Sequence, residues 1–158
     1  MVKSVFLSGS WFSKPEQDLL DLMKSGLDAN PTVGDRYWCL DNQWGEKAVD
    51  EHPELASDME WKKCTYDTDI AGIKAQDVVV AMTVPEHGDT GMAQECGFAS
   101  AIGKPIVLVL PDWAYSEKSD ASINLMIGMV ADVVISISEL PTYDFDHIRH
   151  RPYKGKVF

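Results

Sequence analysis

Three short stretches of this chain, residues 77–82, 105–110 and 132–137, are apolar almost without a break: Val78-Val79-Val80-Ala81-Met82, Ile106-Val107-Leu108-Val109-Leu110 and Val133-Val134-Ile135-Ser136-Ile137. Each is as long as a strand and too short for a typical helix. None alternates apolar with polar residues, as a strand with one wet face would. Such strands must be covered on both sides, and helical patterns lie between them. The chain is therefore expected to form a doubly wound, flavodoxin-like α/β fold: a five-stranded parallel sheet with helices on both faces. Its length of 158 residues suits one domain spanning residues 1–158, because single cores typically take about 100–150 residues.

The remaining elements follow from punctuation. Residues 2–8 read as the first strand, entering a Gly9-Ser10 loop. Ser13 and Glu16 have capping-box spacing, with Pro15 in the first turn, and Leu19, Leu20, Met23 and Leu27 recur at helical spacing. Residues 36–40 read as the second strand and 41–56 as a polar loop. A second capping-box spacing, Ser57 with Glu60, predicts a helix that ends near Lys74. Residues 90–102 read as a helix stopped by Gly103. After Pro111-Asp112 comes a loop rich in Ser, Lys and Asp, then a short helix over 124–130. The tail from Pro141 is too aromatic to be loose.

Composition narrows the function. There are 14 Lys and Arg against 25 Asp and Glu, a net charge of −11, and the isoelectric point is near 4.6. Nucleic acid is held by clustered cations, so it is excluded as a partner. The chain has no apolar run of membrane-spanning length and its first residues lack a signal-peptide pattern, which predicts a cytoplasmic protein without membrane association. Cys39, Cys64 and Cys96 are odd in number and widely spaced, and the four histidines show no ligand spacing. Buried thiols and no metal site are expected.

In doubly wound sheets, ligands bind outside the carboxyl ends of the strands. No Gly-rich dinucleotide or triphosphate loop occurs in this sequence. The loops instead carry acids: Asp41 after the second strand, Asp89 leading into Glu95 after the third, and Asp112 after the fourth. Asp89 lies just before a helix and Glu95 a turn or two inside it, so both can face one crevice. Crowding them in a dry pocket would raise one pKa. One ionised and one protonated carboxyl is the pair that glycosyl transfer needs. The plain alternative makes Asp89 a helix cap and Glu95 a solvated side chain. Asp69 in mid-helix costs helix propensity and hints at a task, or is simply a surface position. Trp11 and Phe12 can stack a flat ring or belong to the core, and Asn124 can be a helix cap.

Several segments, taken in order, resemble the nucleoside 2-deoxyribosyltransferases: Gly9-Ser10-Trp11-Phe12, Leu40-Asp41-Asn42-Gln43, Asp50-Glu51-His52-Pro53-Glu54, and Thr65-Tyr66 with Asp69 and Gly72-Ile73-Lys74. They continue with Asp89 and Gly91, Glu95 and Gly97, Gly103-Lys104, Pro111-Asp112, Ile123-Asn124-Leu125-Met126, and Tyr153 through Gly155 to Val157-Phe158. The resemblance runs from residue 2 to 158. The form of the Gln43 loop is similar to that of the branch accepting both pyrimidines and purines.

The resemblance implies that Glu95 attacks C1′ of a 2′-deoxynucleoside, releases the base and holds the sugar as an ester until a second free purine or pyrimidine base takes it. Asp69 and Asp89 match aspartates that contact base and sugar, with Asp89 the expected proton donor. Phe12 and Gln43 match the base pocket. Asn124 and Met126 match residues lent by a neighbouring subunit, and a C-terminal carboxylate, here on Phe158, joins them. The implied assembly is a homo-hexamer, a trimer of dimers, and no cofactor is needed. Two positions depart from the pattern. Phe6 stands where the family commonly has a tyrosine that hydrogen-bonds the nucleophile, and Phe158 replaces a terminal tyrosine. The rivals are a nucleoside or nucleotide N-hydrolase on the same fold, in which water takes the sugar, and a non-catalytic flavodoxin-like binding module.

Overall fold

The computed structural model describes residues 1–116 and 119–158, so Glu117 and Lys118 of the predicted Ser/Lys/Asp loop lie outside it. The chain runs β1 (Lys3–Gly9), α1 (Lys14–Asp28), β2 (Val33–Trp38), α2 (Met59–Ala75), β3 (Val78–Met82), α3 (Thr90–Ala101), β4 (Ile106–Leu110), α4 (Asp112–Tyr115), β5 (Ser122–Ile123), α5 (Leu125–Val130), β6 (Val133–Ser136) and β7 (Lys156–Val157). Five strands form one sheet in the order β2-β1-β3-β4-β6, every pair parallel. This is the expected doubly wound sheet. Its topological switch lies between β1 and β3, and that places the ligand crevice outside their carboxyl ends.

The uninterrupted runs have the predicted cause. Along β3, Val78, Val80 and Met82 enter one core with Leu20, Met23 and Leu27 of α1, whereas Val79 and Ala81 enter a second core with Ile73 of α2 and Met92 and Cys96 of α3. Alternate residues bury on opposite faces, so no position is left for a polar side chain. Among the described residues, no helix is long and apolar enough to cross a membrane.

Helix α1 starts as expected, with both halves of the Ser13–Glu16 capping box formed. Three expectations are corrected. The cap of α2 is Asp58, whose Oδ1 accepts from the amides of Glu60 at 2.8 Å and Trp61 at 3.0 Å, not Ser57. Ser57 closes a 3-10 turn over Pro53–Ser57, so the extended conformation an N-cap needs first becomes available at Asp58, with φ −78° and ψ 119°. Strand β2 begins and ends earlier than residues 36–40. Its pairing with β1 runs from Lys3↔Val33 to Leu7↔Trp38, and Cys39–Asn42 then turns as a 3-10 helix. Pairing with β1 here outweighs the poor strand propensity of Asp35, while the register shifts past Gly34. Asp112 opens the short helix α4 instead of entering a loop directly.

The aromatic tail is anchored as its composition suggested. Arg151 pairs in parallel beside Val133, and β7 pairs with β5 through Ser122↔Lys156 and Ile123↔Val157.

Candidate active site

A hollow of about 590 Å³ opens at the switch point, within the size range of small-molecule sites. Its walls come from the end of β1 and the following loop, the end of β2, and the loop into α3. Residues that matter for chemistry along it are Phe12, Asp89 and Glu95. A second hollow of about 320 Å³ lies between α2 and α3 and includes Trp61, Thr65, Asp69 and Glu95. Glu95 is thus a wall common to both.

The first loop is held by its own hydroxyls. Ser10 donates to Glu16 Oε1 at 2.6 Å, while Glu16 Oε2 accepts from the Ser13 amide at 2.7 Å, so the helix cap also fixes the turn after β1. Gln17 Nε2 donates to the Trp11 carbonyl at 3.0 Å. The Trp11 and Phe12 rings stack at 5.1 Å, and Phe12 remains 73% exposed at the edge of the hollow. A ring held open to solvent beside a cavity suits a planar ligand.

Asp89 is the N-cap of α3, its Oδ1 accepting from Met92 N at 2.9 Å. The plain reading of Asp89 as a cap is therefore correct in geometry, yet the same residue lines the hollow. Glu95 is far from a solvated side chain. Burial, reinforced by the charges of Asp69 and Asp89, pushes its carboxyl from an ordinary 4.5 up to about 7, and a hydrogen bond from the Ser8 hydroxyl to Oε2 opposes the rise. Burial likewise raises Asp69 to about 6.

Asp69 is served by Tyr37 of β2, whose hydroxyl lies 3.4 Å from Oδ1 and 3.3 Å from the Thr68 carbonyl. That ring reaches α2 because residue 72 is glycine: a Cβ there would lie 2.7 Å from Tyr37 Cζ. Trp61 Nε1 and Thr65 Oγ1, both lining the second hollow, are buried polar atoms without a partner among the described residues. Such groups favour a ligand that hydrogen-bonds them.

The structure separates the remaining sequence candidates into three places. Phe6 is fully buried beneath the site, stacked on Tyr37 at 5.2 Å and 16°, and lines neither hollow. Gln43 Oε1 accepts from the Val49 amide at 2.9 Å and organises the segment after β2, away from both linings. Asn124, Met126 and Phe158 gather around α5. Asn124 caps that helix through Met126 N, the Leu125 amide donates to the Phe158 carbonyl at 3.1 Å, and Met126 is 74% exposed. None of the three is in the lining of either of these two hollows. Sequence reasoning assigned no task to Ser8 or Tyr37. The available signal for Ser8 was its two-residue spacing from Phe6 on a strand, which puts both on one face.

Comparison with known proteins identifies the family. Residues 5–126 match the profile of the family described as nucleoside 2-deoxyribosyltransferase. A nucleoside deoxyribosyltransferase from Lactobacillus johnsonii is 43% identical over 150 residues, covering 94% of this chain and 98% of its own. Another, from Lactobacillus leichmannii, is 35% identical over 158 residues, covering 99% and 98%. The fold is similar to the solved 2-deoxyribosyltransferase of Bacillus psychrosaccharolyticus, with a TM-score of 0.76 and 23% identity over 96% of this chain and 99% of that one. The family profile over residues 5–126 and the relatives matched over nearly the whole chain show that this chain belongs to the nucleoside 2-deoxyribosyltransferase family, enzymes of the pentosyltransferase class.

Proposed function

We propose that this enzyme moves 2-deoxyribose from one nucleobase to another by a retaining double displacement, with Glu95 as the nucleophile. The observation that carries this reading is the placement of Glu95: a half-buried carboxylate shared by two hollows, with two further acids close enough to act on it electrostatically. In the first step Glu95 forms a bond to C1′ as the N-glycosidic bond breaks, and the electron pair of that bond leaves with the base. The base takes its proton from a neighbouring carboxyl. In the second step an incoming base loses a proton to that carboxylate and attacks C1′, and the ester C–O bond breaks to restore Glu95. Two inversions return the original anomer.

Asp69 suits the proton-transfer role better than Asp89, the donor expected from sequence. Asp89 is already the acceptor that holds the first turn of α3. Asp69 has no such duty, and its pKa near 6 allows it both to hold and to release a proton near neutrality. Asp89 then serves as an oriented acceptor for base or sugar, and Phe12 offers a ring face to the base. Among the described residues, the larger hollow has no lysine or arginine in its lining, which favours an uncharged nucleoside over a nucleotide. A 2-deoxy sugar forms its oxocarbenium-like state readily, so positioning and two carboxyls suffice.

Asn124, Met126 and Phe158 form an exposed cluster, the arrangement needed if they complete a neighbour's site in a homo-oligomer, here a trimer of dimers. The resulting role is nucleoside salvage in the cytoplasm. Incubating thymidine with adenine tests the reaction. Deoxyadenosine formed in proportion to thymine released supports transfer, whereas free deoxyribose as the dominant product would establish a hydrolase. A mass increase on the Glu95 peptide equal to one deoxyribosyl group, after quenching without acceptor, tests the ester.

A further inference from the structure

Side chains along β1 alternate between the two sheet faces, so Phe6 and Ser8 share the face covered by α2 and α3. Phe6 carries no polar atom and lies flat against Tyr37. Ser8 is two residues nearer the carboxyl end of the strand, a step of about 6.6 Å toward the crevice. It has no exposed surface, is paired beside Ala81 of β3, and its hydroxyl donates to Glu95 Oε2. The next hydroxyl along the chain, Ser10, is committed to Glu16.

We propose that Ser8 is the positioning residue for the Glu95 nucleophile in this chain: a short hydroxyl-bearing side chain near the carboxyl end of β1 holds the carboxylate by its Oε2. This rests on Glu95 being the nucleophile. Burial and the two neighbouring aspartates all drive Glu95 toward its protonated, unreactive form, and the Ser8 hydroxyl works against them. With Oε2 occupied, Oε1 is the oxygen directed at C1′. In the first half the hydrogen bond helps only by keeping Glu95 ionised, and in the second it strengthens as negative charge returns to the carboxylate when the ester breaks; Ser8 keeps its proton throughout.

Ser8→Ala, with Ser8→Gly as a companion should the methyl not fit, is compared with the parent enzyme using thymidine and adenine, alongside thermal melts. A hydrogen bond to a charged group is worth about 10- to 100-fold in rate. The expected result is a fall of that size in kcat, with KM held within about threefold. Loss of the donor raises the Glu95 pKa by about one unit, so the optimum of kcat/KM, midway between the Glu95 and Asp69 values, moves up by about half a unit. A folded Ser8 variant with unchanged kcat and optimum overturns the role, and so does a fall carried by KM with no movement of the optimum. Glu95→Ala is run in parallel. If it is inactive while the Ser8 variants are normal, only the positioning role falls; if it still transfers, the nucleophile reading falls as well.

Discussion

Replacing Glu95 by glutamine should make the enzyme inactive and, above neutral pH, more stable. A carboxyl whose pKa rises from 4.5 in the unfolded chain to about 7 in the fold binds its proton more tightly when folded. Its ionisation therefore opposes folding: the cost is absent well below pH 4.5, grows as pH rises, and is complete above about 7. The interval between those values, at about 1.36 kcal/mol per pH unit, corresponds to about 3 kcal/mol at pH 8 and about 1 kcal/mol at pH 5. Glutamine has no charge to bury at either pH, and its amide oxygen can still accept from Ser8. Whatever fixed cost the amide brings cancels when the two pH values are compared, as do the titrating groups that do not interact with Glu95. The stability difference between Glu95→Gln and the parent should thus be about 2.5 kcal/mol more favourable to the variant at pH 8 than at pH 5. For a chain of this size that is about 5–10 °C in Tm. The assay is urea or thermal unfolding of both proteins at the two pH values and one protein concentration, since subunit dissociation also moves Tm. An equal difference at pH 5 and pH 8 would refute a buried, raised Glu95 and the reading of the site built on it.

The rate should carry the same signature. Productive enzyme needs Glu95 ionised and Asp69 protonated, so kcat/KM is expected to follow a bell between about 6 and 7, and Asp69→Asn should abolish the alkaline fall, leaving a profile that rises to a plateau. Asp89→Ser keeps a capping oxygen for Met92 N while removing the carboxylate, so stability should change by less than about 1 kcal/mol while transfer falls by an order of magnitude or more. Equal transfer in parent and variant would reduce Asp89 to a cap. Gly72→Ala places a Cβ against the Tyr37 ring and should cost about 1–3 kcal/mol of stability while moving the phenol from Asp69; an unchanged urea midpoint would show that α2 and β2 have slack between them.

The legible parts of this chain were those governed by short-range chemistry. Strands β3, β4 and β6 could be read because burial on both faces leaves a continuous apolar run, and α1 because Ser13, Pro15 and Glu16 satisfy its first turn among themselves. Ser57 misled because its spacing to Glu60 is correct but its backbone is already turning in a 3-10 helix, so the cap passed to Asp58. Strand β2 was misplaced for the opposite reason: Asp35 is a poor strand residue held extended by β1, and the pairing steps over Gly34. At the site, Glu95 and the two aspartates stood out through the family resemblance, whereas Ser8 did not, because its partner lies 87 residues away.

Sequence alone therefore determined the layered parallel fold and the family, and singled out three acids as candidates. These depend on residue type and local spacing, and such patterns survive without knowledge of distant contacts. Only the tertiary structure decided how the acids differ. Asp89 is tied to a helix end, Asp69 stands beside a phenol from another strand, and Glu95 is buried under a serine hydroxyl. Solvation and Coulomb interaction are sums over everything within a few ångströms, and at this crevice those neighbours come from β1, β2, α2 and α3. Three carboxyls that look alike in the sequence meet three different surroundings in the fold, and that difference is what allows the proposed mechanism to give them different tasks.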